Sequence, residues 1–185
     1  MCPSEPRTKF LITHAVTLWV VESVNGQVLQ VTPEGEVTRI ADLSEGHLVP
    51  TGIAADPEGG AYVGYLTSAP YPVGAAKVSH IAPDGTVEDV WTGLTAVTEL
   101  TLGPDGTLYA AELSAEMSDA DPFFSADTGR ILRQTGPESA EEIASGLDMP
   151  VAARFGPDGA LYVSTPAFGG VDDAGRVIRI ELDGA

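Results

Sequence analysis

A short turn motif returns along this chain at a near-constant period, and it limits the fold more than any other feature. Asp56-Pro57-Glu58-Gly59-Gly60-Ala61-Tyr62-Val63 recurs as Gly103-Pro104-Asp105-Gly106-Thr107-Leu108-Tyr109-Ala110 and as Gly156-Pro157-Asp158-Gly159-Ala160-Leu161-Tyr162-Val163. Pro57, Pro104 and Pro157 stand 47 and 53 residues apart. A second element is interleaved: Val28-Leu29-Gln30-Val31, Val78-Ser79-His80-Ile81, Ile131-Leu132-Arg133-Gln134 and Val177-Ile178-Arg179-Ile180, at spacings of 50, 53 and 46. The first two copies run into turns of their own, Pro33-Glu34-Gly35 and Pro83-Asp84-Gly85, and the third into a degenerate Gly136-Pro137-Glu138.

Proline presets φ for the first central turn position, and glycine accepts the positive φ that follows. Short Val-, Ile-, Leu- and Tyr-rich runs flank each turn, so each unit reads strand, tight turn, strand. Two hairpins per repeat make a four-stranded antiparallel sheet, and such sheets repeating every 40–50 residues or so are propeller blades. The predicted fold is therefore all-β, a β-propeller with blades at about 8–43, 50–92, 97–145 and 150–182. The doubled turn pattern favours this over a β-solenoid. In the second blade the strands are expected near 52–56, 61–66, 77–82 and 86–91. In the third they fall near 98–103, 108–113, 130–134 and 141–144, and in the last near 151–156, 161–165 and 176–182, with no fourth strand. The first blade is worn: Phe10–Ile12, Leu18–Glu22 and Gly26–Thr32 fit strands, but His14-Ala15-Val16 stands where the turn belongs. The total is about three and three-quarter blades.

The strings Pro50-Thr51-Gly52-Ile53-Ala54, Gly103 to Tyr109 and Gly129-Arg130-Ile131-Leu132 resemble six-bladed NHL/TolB-like propellers. Within that group, Tyr65–Lys77, with its Pro70-Tyr71-Pro72-Val73-Gly74, and Gly93-Leu94-Thr95 are most similar to the ScyD/ScyE family. The resemblance covers about Leu18 to Leu182. It implies six blades, which at this period need about 300 residues. The expectation is thus an incomplete propeller, a piece of a longer protein, with open blade faces prone to self-association. The resemblance also implies a binding or scaffold protein, since no catalytic residues attach to that family.

Charge and composition narrow the partners. The net charge is −18, from 9 basic and 27 acidic residues, so a phosphate backbone or an anionic membrane surface is repelled. No run approaches the ~18 apolar residues of a membrane helix. Phe10–Val21 is interrupted by Thr13, His14 and Thr17 and lacks a small-residue cleavage site, which argues against a signal peptide. A secreted location would require a leader on a longer chain. Cys2 is the single cysteine, so neither an internal disulfide nor a cysteine zinc site can form. The expected partners are a small molecule or a protein.

Loop lengths point to one face. The turns joining first to second strands are tight, whereas the connections joining second to third strands, 67–76, 114–128 and 166–174, are long. Long loops on a rigid scaffold commonly carry binding. These hold Tyr71, Phe123, Phe124 and Phe168 together with Asp119, Asp121, Asp127, Asp172 and Asp173. Aromatics beside carboxylates suit a small organic cation, a sugar or a planar apolar ligand, and Asp119-Ala120-Asp121 could contribute to a calcium site. The plainer alternative is that the aromatics plug the loops and the aspartates cap turns.

A column at the loop end of the second strands reads Glu22, Tyr65, Glu112 and Thr165, with Glu99 on a first strand near the same face. Facing a central channel, Glu22, Glu99 and Glu112 could ligate a metal or act in acid–base chemistry; alternatively they pair with a cation such as Arg154 or meet water. Related propellers of the SMP-30/gluconolactonase and paraoxonase-like groups hold a central divalent metal with Glu, Asp and several Asn. Here Asn25 is the single asparagine, and its Asn-Gly turn already accounts for it. Virginiamycin-lyase-like propellers need a catalytic His; His14, His47 and His80 occupy different blade positions, and only His47 falls in a loop of the long-loop face. A Gly-x-Ser-x-Gly elbow, a phosphate loop and a His-Glu-x-x-His helix are all absent from the sequence. Two readings remain: a binding propeller, and a metal-dependent lactonase, hydrolase or lyase with further ligands in other blades.

Overall fold

The computed structural model describes residues 8–12, 17–120, 123–167 and 175–182. Four antiparallel sheets follow one another, each with its strands in chain order. The first holds β1 (Thr8–Ile12), β2 (Leu18–Glu22), β3 (Gln27–Val31) and β4 (Val37–Asp42). The second holds β5 (Val49–Ala55), β6 (Ala61–Leu66), β7 (Ala76–Ile81) and β8 (Val87–Leu94). The third holds β9 (Val97–Leu102), β10 (Leu108–Glu112), β11 (Gly129–Gly136) and β12 (Ser139–Leu147). The last holds β13 (Ala152–Phe155), β14 (Leu161–Thr165) and β15 (Arg176–Ile180). Among the described residues the one helical element is a 3-10 turn, Glu45–His47, between the first two sheets.

The fourth strands run longer than the sequence predicts. β8 reaches Leu94 and β12 reaches Leu147, each through register shifts against its neighbour that absorb extra residues without breaking the ladder. The degenerate Gly136-Pro137-Glu138 makes only a two-residue connection, so β11 and β12 run almost into the turn. The Pro-Asp-Gly turns form as their chemistry requires. Gly106 sits at φ 80°, its N–H bonded to the Gly103 carbonyl at 2.9 Å, while Asp105 Oδ1 accepts the Thr107 N–H at 3.0 Å. That backbone bond, first among several hydrogen bonds, lowers the Asp105 carboxyl; the Thr86 N–H does the same for Asp84.

Three apolar layers weld the sheets together. Trp19, Val21 and Val28 of the first sheet pack on Ile53, Val63 and Tyr65 of the second. Val78 and Trp91 pack on Val97, Leu100 and Ala110. Tyr109, Ala111 and Ile131 pack on Ala153, Leu161 and Val163. Consecutive sheets thus stack face to face, and the second and third each bury one face on the sheet before and one on the sheet after.

At the inner strands the stacking becomes backbone on backbone. A Cβ on Gly52 would lie 2.9 Å from the backbone of Glu99 and Leu100. Hydroxyl groups latch the same seam. Ser23 Oγ donates to the Pro50 carbonyl at 2.6 Å, Thr51 Oγ1 to the Val97 carbonyl at 2.6 Å, and Thr98 Oγ1 to the Pro150 carbonyl at 2.9 Å. Each hydroxyl reaches forward to a carbonyl at or just before the start of the next inner strand; Thr51 and Thr98 do so from equivalent inner-strand positions and Ser23 from the end of β2.

These contacts predict that Gly52→Ala destabilises the chain by about 2 kcal/mol through overpacking and Thr98→Val by about 1 kcal/mol through the lost hydrogen bond. Gly175→Ala, where an added Cβ meets nothing within 4 Å, should change little; urea unfolding midpoints decide all three. A second expectation concerns acid. Asp84 and Asp105 are held below the ordinary carboxylate range in the folded chain. Their contribution is therefore complete above that range and lost as pH falls through the lowered values. The melting temperature should begin to drop as pH goes below about 4, and Asp105→Ala should flatten that drop.

Candidate functional site

The inner strands begin on the face that carries the long loops, and there the four sheets surround a cavity of about 630 Å³. That size is typical of a small-molecule site. Its floor is made by hydroxyl-bearing positions of the inner seam, Ser23, Thr51 and Thr98, with Val49 and Val151 beside them. Leu66 and Leu113, at the ends of the second strands, form a wall, backed by a small apolar cluster that includes Ala96, Met117 and Met149. Thr67, Ser68 and Ala69 lead into the first long loop, which supplies Tyr71; the second supplies Phe123 and Phe124.

Local bonding fixes these loops. Ser114 is fully buried; its Oγ bonds the Thr128 hydroxyl at 2.7 Å, donates to the Glu116 carbonyl and accepts the Ser125 N–H at 3.2 Å. Beyond it the chain folds back on itself through a bridge between Met117 and Phe124 and a Ser118 N–H bond to the Phe123 carbonyl at 2.9 Å. Phe123 takes φ 70° and Tyr71 takes φ 57°, a left-handed backbone that non-glycine residues rarely adopt and that marks functional sites when it recurs. The Tyr71 and Phe124 rings stack at 4.5 Å between centroids, 24° from parallel, and so tie the two loops together over the cavity. Phe123 also faces an outer groove of about 480 Å³ between Pro70–Val73 and Met117–Asp119.

Among the described residues, the cavity lining carries no carboxylate, ammonium or guanidinium. A charged ligand would lose its water there without a counter-charge, whereas a neutral one would not. Thr67 Oγ1 is buried and has no hydrogen-bond partner among the described residues, an uncompensated polar group beside otherwise satisfied walls.

Of the acidic residues singled out from the sequence, Glu22, Glu99, Glu112, Asp119 and Asp127 lie outside this lining. Glu112 is fully buried, and its carboxylate accepts Arg130 Nε at 2.6 Å and the Thr95 N–H at 2.6 Å. Burial pushes its carboxyl up, against the pull of Arg130 and the Thr95 N–H. Glu99 accepts Arg154 Nη1 at 3.1 Å and its neighbour's N–H at 3.1 Å. Glu22 closes its own turn on the N–H groups of Val24 and Asn25, both at 2.9 Å. Tyr65, in the same column, donates to Ser79 Oγ at 3.2 Å and is pushed up to about 12 by burial. Thr165 donates to the Asp148 carbonyl. The column therefore ties strand ends to adjoining turns and connections.

Tyr71, Phe123 and Phe124 come together at the cavity, and Asp119 lines the outer groove. Asp127 takes φ 56° in the loop before β11. Phe168, Asp121, Asp172, Asp173 and His14 lie outside the described residues. Among the described residues, no three His, Cys, Asp or Glu side chains group closely enough to hold a metal ion. His80 Nε2 lies 2.8 Å from Asp56 Oδ2 at the opposite, tight-turn face. Sequence reasoning missed Thr51, Thr98, Leu66 and Leu113. Thr51 and Thr98 occupy the same place in the repeat, 47 residues apart, and that recurrence of a hydroxyl was the available signal.

No family model matches the chain, and no curated protein is detectably similar to it in sequence. Solved structures are similar in fold. The chain aligns with virginiamycin B lyase from Staphylococcus aureus at 16% identity and a TM-score of 0.63, covering 99% of this chain and 58% of that one. A gluconolactonase from Xanthomonas campestris aligns at 19% identity and 0.67, covering 97% and 60%. An aldose sugar dehydrogenase from Streptomyces coelicolor, solved with PQQ bound, aligns at 15% and 0.67, covering 97% and 65%. Identities this low show the fold alone, a β-propeller. The chain spans 54–59% of the first lyase structures it matches.

Buried Glu112 accepts both the part-exposed Arg130 guanidinium and the Thr95 N–H, so Glu112→Ala should destabilise the chain by about 2 kcal/mol. Glu22→Ala, at a solvent-exposed turn, should be far milder. Chemical denaturation of the two variants side by side checks this.

Proposed function

We propose that this chain is the ligand-binding part of a six-bladed propeller of the NHL/TolB-like kind, most similar to the ScyD/ScyE family. It takes a small, neutral, largely apolar molecule in the cavity at its long-loop face. One observation carries the reading: the 630 Å³ cavity is walled by aliphatic side chains, seam hydroxyls and a stacked Tyr71–Phe124 pair, with no charged group among the described residues of its lining. Such a site rewards apolar area and planar shape, with hydroxyls to orient one or two polar atoms. The Thr67 hydroxyl supports this, because it belongs to a lining residue, has no partner among the described residues, and would be satisfied by a ligand oxygen or nitrogen. The −18 charge of the chain further disfavours anions.

The likeness to lyase and gluconolactonase structures favours a second reading, metal-dependent hydrolysis or elimination at the same face. Titration separates the two. N-phenyl-1-naphthylamine, a neutral apolar fluorophore, should bind and brighten, and its anionic analogue 8-anilinonaphthalene-1-sulfonate should bind much more weakly. Phe124→Ala should weaken the neutral probe about tenfold, or ~1.4 kcal/mol, and calcium should leave its affinity unchanged. Equal binding of both probes would contradict the neutral site. Calcium-dependent turnover of a lactone would move the assignment to the second reading.

A further inference from the structure

Two hydroxyls on the cavity floor are held in the same way. Thr51 Oγ1 lies 2.6 Å from the Val97 carbonyl oxygen and 3.2 Å from that of Gly64. Thr98 Oγ1 lies 2.9 Å from the Pro150 carbonyl oxygen and 3.2 Å from that of Ala111. Each stands between a carbonyl of its own sheet and one at the start of the next. A carbonyl only accepts, so each hydroxyl commits its single proton there. Ser23 Oγ does the same toward the Pro50 carbonyl at 2.6 Å. What these three lining hydroxyls can offer a ligand is therefore oxygen lone pairs. A ligand hydroxyl or N–H facing them makes a hydrogen bond, whereas an ether or ketone oxygen there meets lone pair with lone pair.

Thr67 has the opposite character. It lines the same cavity and is 8% exposed, and its buried Oγ1 has no partner among the described residues. Its proton is uncommitted, at the cost that any buried unsatisfied hydroxyl carries. Thr51, Thr67 and Thr98 belong to the second and third sheets and the loop between β6 and β7, inside the run of sheets.

We infer that the cavity selects its ligand by hydrogen-bond polarity: it takes a neutral aromatic molecule with a hydroxyl or N–H donor toward the floor and a separate acceptor atom toward Thr67. A phenol with an ether oxygen elsewhere on its ring system has this pattern, and the fully O-alkylated form of the same molecule is rejected. This rests on the neutral-cavity reading and narrows it from any apolar compound to a donor-bearing one. Thr67 is then a specificity residue, unsatisfied in the free protein and satisfied by the ligand.

The test is fluorescence titration of the full chain at about pH 7, where a naphthol is neutral. The probes are 6-methoxy-2-naphthol, 2,6-dimethoxynaphthalene and 2-methoxy-6-methylnaphthalene, which differ at one ring position. The naphthol should bind about tenfold more tightly than either of the others, although both are more apolar. That preference should shrink in Thr51→Val or in Thr98→Val, according to which hydroxyl the ligand meets. Thr67→Val should weaken the naphthol about fivefold and yet raise the melting temperature of the free chain by about 2 °C, because it removes an unsatisfied buried group. Thr67→Ser should restore binding. A merely structural Thr67 would not move affinity and stability in opposite directions. Equal binding of all three probes would overturn the donor requirement alone and leave the neutral cavity standing, whereas no binding of any would overturn both. A preference unchanged in both floor variants, or a Thr67→Val chain that binds like wild type, would also overturn the inference.

Discussion

Everything in this molecule hangs on how closely one inner strand approaches the next. Sheets of four strands can stack through side chains alone at their outer strands, where there is room for Trp91. At the inner strands the space vanishes, and Gly52 lets β5 lie directly on the backbone of β9. The forward-reaching hydroxyls of Ser23, Thr51 and Thr98 then bond carbonyls of the next inner strand. A hydroxyl is the right device there: it needs little volume, it satisfies an acceptor that would otherwise be buried unpaired, and it sets the stagger between neighbours.

The same seam makes the cavity. The latches hold the inner strands at their starting ends, and those ends border the cavity of about 630 Å³ on the long-loop face. The charged residues nearby are occupied elsewhere. Glu112 is held by Arg130 and Thr95, Glu99 by Arg154, and Glu22 by its own turn. The described residues that face the cavity are neutral, in a chain of net charge −18.

Much of this was legible before any coordinates. The Pro-Asp-Gly turns are local, so proline, glycine and the aspartate between them announce hairpins without knowledge of the rest of the chain. The period then yields the sheets, and unequal loop lengths pick out the face with Tyr71, Phe123 and Phe124. What escaped is non-local. The Thr98 latch reaches a carbonyl 52 residues away and the Thr51 latch one 46 away, so nothing near either threonine marks it. Glutamates at strand ends look alike whether they face a metal or an arginine, and only the arrival of Arg130 on the adjacent strand distinguishes Glu112. The worn first repeat still forms β1 against β2, because strand pairing tolerates a lost turn motif when the apolar runs remain in register.

The most direct test of the account is amide hydrogen exchange with and without a saturating neutral apolar probe. Protection should rise at 67–71 and 123–124 and at the inner-strand starts, 49–51, 97–98 and 151–152. The turns at 57–59, 104–106 and 157–159, on the opposite face, should stay unchanged. Protection confined to those turns or to the outer strands would contradict a cavity built by the inner seam.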